Sequence, residues 1–187
     1  MKPFAPKARP CEVCQTLYVP QRMGQIVCRP ACAMKKVRLE KVEARAKVRT
    51  RKESIKTIPV LIKEAQHAFN AFIRQRDHAQ PCICCGQPLG AGEVGGAFDC
   101  GHYRSTGSAP HLRFDERNAH AQRKVCNRWG AGRAVDYRVG LVNRIGLEAV
   151  EALESDNRIH KWTVEELRSI RDHYRAKLKE MKKWDAQ

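Results

Sequence analysis

Between residues 60 and 78, apolar side chains recur at helical spacing. Leu61, Ala65, Phe69, Phe72 and Ile73 share one face, so the pattern predicts an amphipathic helix packed on a core. A second pattern covers 164–183, where Val164, Leu167, Ile170, Tyr174, Leu178 and Met181 form a stripe. Its start carries a capping box, Thr163 as N-cap with Glu166 three residues on. Trp162 and Leu167 are placed to form a hydrophobic staple across that start. Between these segments, Val135, Val139, Val142 and Ile145 predict one helix near 134–153. Residues 81–133 are Gly-rich and have no sustained period.

Residues 35–57 break the pattern. Their ten Lys/Arg and three Glu, with Ala, favour helix, yet no apolar stripe runs through them. The reading is an exposed basic helix or linker, with a solvated spacer as its bland alternative. Ile58–Pro59 marks a boundary, because proline biases the residue before it away from helix. Residues 1–34 are rich in Cys and Pro and poor in apolar side chains, so a metal is needed to staple them. The predicted organisation is a zinc module at 1–34, a basic helix at 35–57 and a domain at 58–187. There are no internal repeats.

Charge narrows the partners. The 187 residues carry 36 Lys+Arg against 20 Asp+Glu, a formal charge of +16. Such an excess repels itself unless it meets a polyanion, and nucleic acid is the first candidate. An anionic membrane is the weaker rival, since no helix near the start pairs a basic face with a Trp/Phe/Leu face. The start is basic without an apolar run behind it, and no stretch approaches 18 apolar residues, so neither a signal peptide nor a membrane span is expected. The expected setting is a reducing cytoplasm, where nine cysteines read as metal ligands more readily than as disulfides.

The cysteines form two groups. Cys11-x2-Cys14 followed by Cys28-x3-Cys32 is a four-thiolate zinc pattern, each pair aiming two sulfurs at one ion. The basic segment after Cys32 turns this module toward nucleic acid, with Lys35, Lys36, Arg38, Arg45, Lys47, Arg49, Arg51 and Lys52 as the expected DNA contacts. The second group holds Cys82-x2-Cys85 with Cys84 between, then Asp99-Cys100-Gly101-His102-Tyr103, Asn118, His120 and Cys126-Asn127. Phosphodiester hydrolysis needs a base for water, a cation on the phosphate and support for the leaving oxygen. A lone histidine is more often structural. With Asp99, an asparagine and a zinc knuckle around it, His102 is weighed as a base, and Gly101 would let the backbone approach a phosphate closely.

The string Cys-x2-Cys…Gly-His…Asn…Cys-Asn resembles an HNH, or ββα-metal, endonuclease. The segments AFNAFIRQRD, GHYRSTGSAPHLRFDERNAHAQ and DYRVGLVNRIGLEAVEALESDNRIHKWTVEEL closely resemble the lambdoid-phage NinG family, also called Rap, over nearly the whole chain. The resemblance implies a phage recombination protein on branched DNA, such as Holliday junctions and D-loops, with structure-specific endonuclease activity. It implies an α+β, mainly helical fold: a small zinc-stapled ββα core flanked by helices, plus the N-terminal zinc module.

On the same resemblance, His102 is the general base, Asn118 braces the loop and orients it, and Asp99 and Asn127 hold a catalytic Mg²⁺ or Mn²⁺. Arg104 and Arg113 contact phosphate. Cys82, Cys85 and Cys126 ligate a second zinc. Arg123 stands where the family pattern carries a further thiolate, and Trp129-Gly130 where it carries His-Lys. Cys100 is therefore the expected fourth ligand, with His120 or Cys84 as alternatives. The competing function is a branched-DNA-binding accessory without cleavage, and a more distant one is a zinc adaptor for protein or RNA. Symmetric junction resolution needs two nicks and so suits a homodimer, although no heptad pattern establishes one. Neither a membrane nor a small-molecule substrate is expected.

Overall fold

A computed structural model describes residues 7–90, 94, 96–130 and 132–184. The chain divides into two compact units, 1–56 and 57–187. In the first, strands β1 (Arg9–Pro10) and β2 (Leu17–Tyr18) pair antiparallel, Arg9 opposite Tyr18. Helix α1 (Pro30–Ser54) follows. Pro30 sits in its first turn, where a missing N–H costs nothing and a fixed φ helps nucleation. The helix thus starts five residues before the expected basic segment and carries Cys32, its one buried residue among those described. The rest of α1 is solvated, as its missing apolar stripe implied.

The second unit is built on α2 (Ile58–Arg76), which packs along α5 (Val164–Trp184). Pro59 lies in the first turn of α2, so the boundary read at 58–59 is a helix start. All five predicted core residues of α2 are buried, and Leu167 and Tyr174 of α5 meet them. The Phe69 and Tyr174 rings stand edge to face at 4.9 Å. The capping box forms: Glu166 N–H donates to Thr163 Oγ1 at 3.2 Å, and Thr163 N–H donates to Glu166 Oε2 at 2.8 Å. Arg171, outside the predicted stripe, is also buried and donates to Glu64 Oε2 at 2.9 Å.

Within the segment read as irregular, β3 (Phe98–His102) and β4 (Ala119–Arg123) form an antiparallel pair, with Cys100 opposite Ala121 and His102 opposite Ala119. The hairpin is pinned to the end of α2. Buried Asp77 accepts the Ala121 N–H at 2.9 Å, and Arg76 donates to the Ala119 carbonyl at 2.8 Å. A π-helical turn (Val125–Trp129) leads toward α3 (Ala134–Ile145) and α4 (Leu147–Ser155). The fold is a mainly helical α+β arrangement with two small sheets.

The single helix expected over 134–153 is two helices. Gly146, at φ +86°, takes a left-handed turn open to glycine and ends α3. The expected stripe is also displaced: Val135 and Val139 are 79% and 60% exposed, while Tyr137 and Leu141 are buried with Ile83, Val150 and Leu153. Only Val142 and Ile145 of the stripe lean on that cluster. The cause is a close approach. At Gly140 an added Cβ would lie 1.7 Å from the Ile83 carbonyl oxygen, so α3 lies directly on the Cys82–Cys85 loop by its glycine side.

Gly140→Ala tests that approach by sign. In an open helix the exchange gains about 1 kcal/mol. Here the methyl meets backbone, and overpacking of this kind costs roughly 1–3 kcal/mol. Thermal unfolding is expected to move down by about 5 °C or more; an upward shift would mean that α3 does not lie on the loop.

Candidate functional site: two cysteine quartets and a histidine cleft

The sulfurs of Cys11, Cys14, Cys28 and Cys32 all lie within 4.8 Å of one another. Cys14–Cys28 and Cys28–Cys32 are 3.5 and 3.7 Å apart. Four sulfurs about 2.3 Å from a tetrahedral zinc stand about 3.8 Å apart, so the quartet has the dimensions of a zinc site. Its amides prepare it for thiolates. The N–H groups of Val13 and Cys28 point at Cys11 Sγ from 3.5 and 3.4 Å. Burial raises the Cys11 thiol, but these amides and that of Cys14 outweigh it and bring it down to about 6. Burial and the neighbouring sulfurs push Cys28 up to about 12. Four thiolates therefore need a cation among them.

The second quartet is Cys82, Cys84, Cys85 and Cys126, again within 4.8 Å. Cys84, not Cys100, completes it. Cys100 is buried in the cluster of Phe69, Phe72 and Phe114, where burial raises its thiol to about 12. His120, the other alternative, is buried apart from this group. Cys84 stands beside Cys82, Sγ to Sγ 3.6 Å, and supplies the thiolate that Arg123 does not. Position 123 contributes its backbone instead: its N–H donates to Cys82 Sγ at 3.3 Å. Burial opposes ionisation of Cys82, and this amide with those of Cys85 and Cys84 lowers it to about 7. Gln122, which sequence reasoning missed, is fully buried and donates both to Cys84 Sγ at 3.4 Å and to the Gly132 carbonyl at 2.9 Å. Gly101 makes room for it, since a Cβ there would meet Gln122 Oε1 at 2.2 Å. That glycine thus has a packing role.

Beside this quartet lies a cleft of about 760 Å³, lined by His102, Tyr103, Ser105, Ser108, Asn127 and Glu154 among others. His102 closes β3, and its Nε2 donates to the Arg113 carbonyl at 3.0 Å. A carbonyl only accepts, so the neutral ring carries its proton on Nε2 and leaves Nδ1 as a base. Burial lowers the His102 pKa below the ordinary value, against the bond to Arg113. Asn118 is fully buried and braces the loop. Its Oδ1 accepts the Arg104 N–H at 2.8 Å, and its Nδ2 donates to the carbonyls of Arg104 and Leu112 at 3.0 and 3.1 Å.

Other expected site residues have partners within the fold. Asp99 is clamped by Arg128, whose Nε and Nη2 donate to it at 2.8 and 3.2 Å, and by Asn127 at 3.3 Å. Burial raises its carboxyl, but these donors prevail and lower it. Its oxygens are committed to a guanidinium, and among the described residues only the two cysteine quartets group three or more His, Cys, Asp or Glu ligands. The residues do not form a cage for Mg²⁺ or Mn²⁺. Arg104 binds the carbonyls of Leu153, Glu154 and Asp156 at the end of α4, and Arg113 binds Gln66 and Thr106, so both guanidinium groups hold the fold. Glu154 accepts from the Tyr103 hydroxyl at 2.5 Å and from Arg138 at 2.7 Å. These partners lie far apart in sequence and no local signal marks them. On α1, Lys36 is tied to Glu12 and Glu40, while Lys35, Arg38, Arg45, Lys47, Arg49, Arg51 and Lys52 are exposed.

The family model described as "Bacteriophage Lambda NinG protein" matches residues 3–185. The chain belongs to the NinG family. It is 42% identical over 196 residues to protein ninG of Escherichia phage 933W, covering 95% of each. It is 48% identical over 136 residues to protein ninG of Salmonella phage P22, covering 73% of this chain and 64% of that one, and likewise to protein ninG of Escherichia phage lambda. No solved structure matches the chain. Among the described residues no helix is long and apolar enough to cross a membrane.

Two measurements follow. Elemental analysis is expected to find two zinc ions per chain, falling to one in Cys84→Ser and unchanged in Cys100→Ser; the reverse pattern would return Cys100 to the site. Separately, burial pulls His120 down to about 4, helped by the charge of Arg76, so the fold keeps it neutral. The unfolded chain takes its proton near pH 6.5. Stability from this group is therefore full above pH 6.5 and is lost as pH falls toward 4, by on the order of 3 kcal/mol. His120→Leu should flatten denaturant-midpoint profiles between pH 6.5 and 4, and an unchanged slope would assign acid sensitivity elsewhere.

Proposed function

We propose that this NinG-family chain is a phage DNA-recombination protein that binds branched DNA and nicks it as a structure-specific endonuclease. The observation that carries the reading is His102: a neutral histidine on the wall of an open cleft, its tautomer set by a backbone carbonyl, at the end of a strand paired with the strand that leads to Cys126. The order hairpin, cysteine-bearing turn, helix is the order of a ββα core. In this reading His102 Nδ1 takes a proton from water, the water oxygen bonds to phosphorus, and the P–O bond to the leaving strand breaks, its oxygen taking a proton from solvent. Asn118 holds the loop that presents the Arg113 carbonyl to the histidine. The net charge of +16 and the exposed cations of α1 supply attraction to phosphate that carries no sequence preference. Action in the host cytoplasm and as a homodimer belongs to the same proposal.

A second reading, junction binding without cleavage, is favoured by the clamp of Arg128 on Asp99, which occupies the carboxylate expected to hold a catalytic ion. One experiment separates them. Four-way junctions, flaps and linear duplex are incubated with the zinc-loaded protein, with Mg²⁺, with Mn²⁺ and with neither. The nuclease reading expects nicking of branched substrates that falls by at least about 100-fold in His102→Ala, while junction affinity stays within a few-fold. Tight junction binding with no nicking under any condition would leave the accessory reading standing.

A further inference from the structure

Trp129 is 81% exposed, although tryptophan carries more apolar surface than any other side chain. It ends the π-helical turn Val125–Trp129, and the residues before it are held in place. Cys126 belongs to the second quartet, Asn127 donates to Asp99, and Arg128 donates to both Asp99 oxygens. Asn127, two residues away, lines the cleft that holds His102. An indole is therefore presented to solvent from a braced turn whose Asn127 lines the cleft.

Its surroundings are cationic. Residues 123–133 contain Arg123, Lys124, Arg128 and Arg133 and no acidic residue. Arg128 and Arg133 side chains are 58% and 46% exposed even while paired with Asp99 and Asp136. A flat aromatic among cations fits a polyanion that offers flat faces, which is unpaired nucleic acid. In a continuous duplex each base is already stacked on both sides. At a branch point, gap or fork, some bases expose a face.

We propose that Trp129 stacks on an unpaired base of branched DNA at the edge of the cleft, and so distinguishes branched from fully paired substrate. This rests on the DNA reading above. The cations beside Trp129 would engage the flanking phosphates, and the braced turn would set the distance from the stacked base to His102.

The test uses full-length, zinc-loaded protein and a forked DNA with 2-aminopurine at the first unpaired position, against a linear duplex of equal length. Wild type, Trp129→Ala and Trp129→Phe are compared after confirming equal zinc content. Wild type is expected to quench the 2-aminopurine. Trp129→Ala should lose the quench and bind the fork roughly 5- to 100-fold more weakly, with duplex affinity unchanged, and Trp129→Phe should retain most of both. An unaltered quench and fork affinity in Trp129→Ala, equal losses on fork and duplex, or a change in oligomeric mass would each overturn the stacking role while leaving the DNA reading intact. Failure of the wild type to bind either DNA would instead remove the DNA reading, and this inference with it.

Discussion

The second cysteine quartet joins two pieces of chain about forty residues apart in sequence. Cys82, Cys84 and Cys85 come from the loop after α2, and Cys126 from the turn after β4. Around them, the Arg123 amide and the Gln122 side chain bond to sulfur, Gln122 also reaches the Gly132 carbonyl, and α3 lies on the loop at Gly140. A cation here would offset the burial and neighbouring sulfurs that raise the Cys84 and Cys126 thiols, and metal binding would then be coupled to the packing of hairpin, turn and helix. The first unit depends on its quartet more simply. Its buried apolar residues are few, and Cys11 and Cys32 are among them.

The cleft is a consequence of that join. His102 stands at the end of β3, Asn127 on the turn that Cys126 anchors, and Tyr137 of α3 donates to the Gly101 carbonyl at 3.0 Å. The same geometry sets a conflict. Arg128 lies close enough to take both oxygens of Asp99, and an Arg–carboxylate fork is a strong competitor for the oxygen atoms a hard cation would need. The guanidinium groups of Arg104 and Arg113 are likewise spent on backbone and amide oxygens inside the fold. Cations that face solvent remain on α1 and on α5, Arg175, Lys179, Lys182 and Lys183 among the latter.

The sequence by itself determined what depends on neighbours a few residues away. Helices α2 and α5 were legible because a 3.6-residue period places Phe69, Phe72, Leu167 and Tyr174 on buried faces, and the Thr163–Glu166 capping box is a contact across three residues. The first quartet was legible because both of its pairs are local spacings. The tertiary structure alone decided the fourth thiolate of the second site, because Cys84 is brought beside Cys82 while Cys100 packs into the α2–α5 core. It decided the buried face of α3, because Gly140 must meet the Ile83 carbonyl, a contact between residues far apart in the chain. It also decided the partners of Asp99, Arg104 and Arg113: a charged side chain in a sequence carries no mark of whether a partner 29 or 49 residues away has already taken it.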